Sequence, residues 1–143
     1  MFISEKQPGE VSEPGDAVKS EEVPAVDIEA ARRVFGDDND LLNEAVGLFL
    51  AEDYPEQLRL LKDGIDSQDA SAVRAAAHSI KGASRSLGGM VLGDICQRLE
   101  ELGREEKLGD TRALLRLIEI ETERFADYYS GSESNQVEQP VKK

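Results

Sequence analysis

The sequence predicts an all-α protein, an antiparallel four-helix bundle with one or two additional short helices. Three observations lead there. Residues 27–129 contain a single proline, Pro55, so nothing interrupts long helices except at that point. Apolar side chains in this stretch recur at the three-four spacing of a buried helical stripe rather than alternating as in a strand. The composition is 39% hydrophobic but only 5% aromatic, without Trp, which suits helices packed through aliphatic side chains.

The elements follow in order. Asp27 can cap a short helix carrying Ile28, Ala31, Val34 and Phe35, which Gly36 stops. Asp38 or Asp40 caps a second, with Leu41, Leu42, Ala45, Val46, Phe49 and Leu50 turned inward. Asp53 before Pro55 reads as the N-cap of a third helix bearing Leu58, Leu61 and Ile65, or else as a kink in one long helix. Asp69 opens a fourth helix reaching about Leu87, and Gly88-Gly89 breaks the chain. A fifth carries Val91, Leu92, Ile95, Cys96, Leu99 and Leu102, and Gly103 and Gly109 bracket a charged turn. The last runs from Asp110 and presents Leu114, Leu117 or Ile118, Glu121, Phe125 and Tyr128. Short loops between long helices imply antiparallel packing, with the first helix as a flank or lid.

The ends have a different character. Residues 1–26 hold Pro8, Pro14 and Pro24 and six acids against two lysines, with too little apolar surface to offset the entropy of ordering them. They predict a disordered acidic tail, 130–143 predict a second tail, and residues 27–129 are the predicted domain. A net charge of −13 opposes non-specific binding to nucleic acid or anionic membrane. No signal peptide or membrane span is legible, and the single cysteine, Cys96, forms no internal disulfide and falls in an apolar pattern. The expectation is a cytoplasmic monomer with a structural Cys96, since each helix uses its apolar stripe within the bundle. One His and one Cys eighteen residues apart make no metal site.

The chemistry concentrates on the fourth helix. Val73, Ala76, Ala77, Ile80, Ser84 and Leu87 form its buried stripe. Arg74, His78, Lys81 and Arg85 form a second stripe about 110° away, counting about 100° per residue. His78, the only histidine, is therefore expected on a solvent-facing flank. No acid occurs from Ala70 to Gly93, so the strip is positive within an acidic molecule. A neutral imidazole is a competent nucleophile near neutral pH, and phosphoryl transfer needs chiefly in-line positioning and charge on the equatorial oxygens. Lys81 and Arg85 are candidates to supply that charge. Gly82 costs about 1 kcal/mol relative to Ala inside a helix, a cost that room for another protein's active site over His78 would explain.

The run His78-Ser79-Ile80-Lys81-Gly82-Ala83-Ser84-Arg85-Ser86-Leu87-Gly88 closely resembles the HxxKGxxxxxG signature of histidine-containing phosphotransfer (HPt) domains, continuing through Cys96 to Leu99-Glu100. The resemblance implies an HPt-like bundle and a phosphorelay intermediate of two-component signalling. By it, His78 is the phosphoacceptor, Lys81 stabilises the phosphoryl group, Gly82 clears the docking surface and Gly88 ends the histidine helix. Arg85 adds electrostatic support. Glu100 either orients the imidazole through one ring nitrogen or is a solvated surface acid. Arg74, Gly82, Ser84 and Gly88 are the expected partner-contacting residues, Ser84 also having a helix-packing role. The partners implied are response-regulator receiver domains and a hybrid sensor histidine kinase. No cofactor is expected on this chain, Mg²⁺ being supplied by the receiver.

Other readings stay open. A non-catalytic helical adaptor would use the same bundle with His78 incidental. A phosphoacceptor domain excised from a larger hybrid or chemotaxis-type histidine kinase would share the signature. The dimerisation segment of a histidine kinase fits poorly, because Ser79 rather than an acid follows His78 and no proline follows it until Pro140. The remaining chain has no room for an ATP-binding domain, so no autonomous kinase activity is expected.

Overall fold

A computed structural model describes residues 23–131. The elements are α1 (Ile28–Phe35), α2 (Asn39–Leu48), a π-helical segment (Phe49–Asp53), α3 (Tyr54–Asp66), α4 (Ala70–Ser86), α5 (Met90–Arg104) and α6 (Thr111–Ser130), with no strand among the described residues. Helix α4 packs most extensively against α5 and α3, α6 closes on α5, and α1 lies against α4 and α2. The result is the expected helical bundle with α1 on its flank.

Local rules set most boundaries. The carboxylates of Asp27, Asp38 and Asp69 accept from the backbone N–H of Ala30, Leu41 and Ala72 at 3.2, 2.9 and 3.1 Å, satisfying donors that a helix start leaves free. Asp38, not Asp40, therefore caps α2. Asp53 caps nothing. Its φ of −71° and ψ of −48° are helical and its side chain makes no cap bond, so Asn39–Asp66 is one continuous rod. Proline at 55 has no N–H to donate, and the Tyr54 N–H reaches back to the Phe49 carbonyl, an i−5 bond that widens the rod instead of breaking it.

The core is aliphatic with one aromatic corner. Leu61, Ile65, Val73, Ala76, Ala77, Ile80, Leu92, Cys96, Leu99 and Ile118 are buried, and Phe125 meets Phe49 and Tyr129 edge-on at 5.7 and 5.2 Å. Of the alternatives on α6, Ile118 faces inward and Leu117 outward, joined inside by Leu115. Burial pushes the Cys96 thiol up to about 12 despite the nearby charges of Arg85 and Lys81, so it is protonated and unreactive at neutral pH.

The periphery departs from the simple helical pattern. Val34 and Leu41 are exposed. Helix α1 approaches the bundle through the small Ala30 and Ala31, and the inward stripe of α2 runs Leu42, Val46, Phe49, leaving Leu41 outside in the first turn. At the amino end, Ala25 and Val26 are core residues and Arg124 donates to the Val23 carbonyl at 2.7 Å, so the packed body begins before Asp27. At the other end α6 includes Ser130, and Gly131 stops it at a φ of 83°. The rest of both expected tails, residues 1–22 and 132–143, lies outside the described residues.

The α4–α5 turn fixes the histidine helix. Gly89 N–H donates to the Ser84 carbonyl at 2.7 Å and Gly88 N–H to the Arg85 carbonyl at 3.0 Å, the paired bonds of a Schellman cap. Gly88 has φ +84°, and a Cβ there would fall 2.6 Å from the Asp27 carbonyl oxygen, while its own carbonyl accepts from Asp27 N–H at 2.7 Å. Gly88→Ala is expected to cost about 2–3 kcal/mol from left-handed strain and this clash together. Urea denaturation checks the value, and an unchanged midpoint contradicts the role assigned to the turn.

Candidate functional site

Helices α4 and α5 place the site between them. Their close approach depends on missing side chains: a Cβ at Gly103 would lie 3.0 Å from the Arg74 backbone nitrogen and the Ala70 carbonyl oxygen. With α5 this close, Glu100 comes under His78, twenty-two residues away in sequence. His78 Nδ1 lies 3.1 Å from Glu100 Oε2, while the histidine side chain is 67% exposed and the glutamate only 8%.

Glu100 is the hub of the charges. Lys81 Nζ is 2.7 Å from its Oε1 and an Arg104 guanidinium nitrogen 3.4 Å from its Oε2. The Lys81 contact is a close ion pair rather than a well-directed hydrogen bond, since Oε1 has no donor in good hydrogen-bond geometry. Burial alone would raise the Glu100 pKa, but the Lys81 and His78 contacts outweigh it and hold the carboxyl below its ordinary value. Glu100 is therefore ionised at neutral pH. An ionised carboxylate only accepts, so the ring proton belongs on Nδ1 and the lone pair on Nε2. Of the two readings left open for Glu100, the solvated surface acid does not describe a carboxylate this shielded.

A shallow cleft of about 470 Å³ beside the ring is lined by Ser71, Arg74, Ala75, His78, Ser79, Glu100 and Arg104. Arg74, one of the expected partner-contacting residues, lines this cleft. Gly82 is exposed, and a Cβ built on it meets nothing within 4 Å. No internal packing demands glycine at this position.

Three expected site residues lie elsewhere. Arg85 turns away: its guanidinium sits 3.0 Å from Asp94 Oδ1 and its stem packs over Gly93, because α5 offers a carboxylate on that side. Ser84 is fully buried, its hydroxyl donating to the Lys81 carbonyl at 3.2 Å, which leaves the packing role and removes the partner contact. Gly88 is buried against Asp27 and serves the turn. Two residues went unread, Gln97 and Arg104. Lys81 Nζ donates to Gln97 Oε1 at 3.0 Å. The signal available was spacing, since Gln97, Glu100, Glu101 and Arg104 stand at i, i+3, i+4 and i+7 on one face of α5.

Among the described residues no group of three His, Cys, Asp or Glu is placed to hold a metal ion, and no helix there is long and apolar enough to cross a membrane.

Comparison with known proteins agrees with this architecture. The Hpt domain family model matches residues 44–128, and the chain belongs to that family, with a histidine phosphotransfer role in two-component signalling. Among solved structures it is similar to the crystal structure of histidine-containing phosphotransfer protein B (HptB) from Pseudomonas aeruginosa PAO1. The identity is 28% and the TM-score 0.70, over 77% of this chain and 95% of that one. No curated protein matches.

Proposed function

We propose that this protein is a phosphorelay intermediate in which His78 accepts a phosphoryl group from the phosphorylated aspartate of a receiver domain and passes it to another receiver. The observation that carries the reading is the His78–Glu100 contact: a ring two-thirds exposed, with Nδ1 held by a buried carboxylate, presents Nε2 outward as the nucleophile.

The step balances on these atoms. The Nε2 lone pair forms the N–P bond as the P–O bond to the receiver aspartate breaks, and that carboxylate leaves with the electron pair. Nδ1 keeps its proton, and the positive charge that grows on the ring faces the Glu100 carboxylate. Lys81, 16% exposed and paired with Glu100, supplies charge to the equatorial oxygens. Mg²⁺ belongs to the receiver's pocket, and this chain contributes nucleophile, local charge and docking face without binding ATP. The exposed Gly82 and Arg74 belong to that face. The working form is a cytoplasmic monomer.

Incubation with a phosphorylated receiver domain and Mg²⁺ is expected to place acid-labile, base-stable label on this chain, and His78→Gln is expected to fold normally and take none. Label on His78→Gln overturns the assignment.

A further inference from the structure

The hydrogen-bond chain around Lys81 extends past Glu100. Gln97 Oε1 accepts from Lys81 Nζ at 3.0 Å, and Gln97 Nε2 donates to Glu101 Oε2 at 2.9 Å. An amide can sit either way round, but here both ends are assigned: a cation lies at the oxygen and a carboxylate at the nitrogen, so a flip would set donor against donor and acceptor against acceptor. The ammonium thus lies between Glu100 Oε1 at 2.7 Å and the Gln97 oxygen. An ammonium has three N–H donors; the Gln97 oxygen takes one, and the Glu100 contact is ionic, so donor capacity remains for another group.

We propose that Gln97, oriented by Glu101, is a positioning residue for phosphoryl transfer: it braces the Lys81 ammonium against Glu100 so that an N–H not used by Gln97 is aimed at the phosphoryl group on His78. The inference rests on His78 as the acceptor. A long lysine stem samples many rotamers, and an ammonium tied at one point swivels, whereas one tied at two points loses that freedom before the reaction begins. Gln97 itself touches no reacting atom; it acts through Lys81. Glu101 acts one step further back, by holding the amide in register.

The test is a double-mutant cycle on single-turnover transfer from a phosphorylated receiver domain, with Gln97→Leu, Lys81→Ala and the double variant beside wild type. Gln97→Leu is expected to slow transfer roughly tenfold, the rate equivalent of one hydrogen bond to a charged group. The double variant is expected to be no slower than Lys81→Ala alone, because without the lysine there is nothing to brace. Glu101→Ala, which leaves Gln97 in place, is expected to show a smaller loss that also vanishes without Lys81. Wild-type rates for Gln97→Leu, or a tenfold loss that persists in the Lys81→Ala background, overturn the brace. Those outcomes leave His78 as acceptor intact, whereas a wild-type protein that takes no label removes both.

Discussion

Gly82→Phe is expected to slow transfer roughly 100-fold while Gly82→Ala makes the protein more stable than wild type. Glycine inside a helix costs about 1 kcal/mol relative to alanine, and at Gly82 nothing within the fold returns that cost: the residue is exposed and a Cβ there touches nothing within 4 Å. Gly82→Ala should raise the melting temperature by roughly 4 °C for a domain of this size. A phenyl ring one turn along α4 from His78 would stand in the path of a partner closing over the ring. Loss of about 3 kcal/mol of contact there lowers productive docking roughly 100-fold. The two halves are measured separately, by thermal melting and by transfer rate. Normal transfer by Gly82→Phe would sink the steric account, and a lower melting temperature for Gly82→Ala would show an internal need for glycine.

Glu100→Leu is expected to damage both stability and chemistry. It removes the anion shared by His78, Lys81 and Arg104 and leaves a mostly buried ammonium with Gln97 as its remaining neighbour. The stability cost is about 2 kcal/mol, in the range for a charged group deprived of its partner. Transfer should fall roughly 10- to 100-fold, because the imidazole proton is no longer drawn to Nδ1 and Lys81 loses an anchor. Stability should also carry a pH signature. The Glu100 pKa lies below its ordinary value in the folded protein, so its contribution is full above the unfolded carboxylate range and is lost as pH falls through the lower folded value. Glu100→Gln lacks that ionisation, so its deficit relative to wild type should shrink in acid. A deficit that is constant from neutral pH to below the carboxylate range would contradict an ionised, paired Glu100.

The features legible in the sequence are those carried by one helix. His78, Lys81 and Gly82 share α4, so their common face follows from residue spacing alone, as do the aspartate caps at 27 and 69. What escaped depends on how α5 is rotated against α4, which no spacing within either helix encodes. Arg85 has the right position on the stripe of His78, yet Asp94 on α5 claims its guanidinium. Gln97 and Arg104 enter the site through the same rotation. Glu100 was reached by family resemblance rather than by periodicity. At the edges, Val34 and Leu41 look like core residues because hydrophobicity does not say which face of a short helix meets the bundle. The small Ala30 and Ala31 decide that for α1. Pro55 was legible as a perturbation, but whether it starts a helix or widens one depended on a backbone bond from Tyr54 to Phe49 that composition does not announce.

On the proposed function, the Glu100–Nδ1 contact leaves Nε2 as the atom of His78 that reacts, and because His78 is the only histidine in the chain a single spectrum can read the result. Long-range ¹H–¹⁵N correlation on histidine-labelled protein, recorded before and after phosphorylation by a receiver domain, should show one imidazole protonated at Nδ1 and then phosphorylated at Nε2 with the Nδ1 proton retained. Phosphorylation at Nδ1, or an imidazole left unmodified while label appears on another residue, would contradict the account.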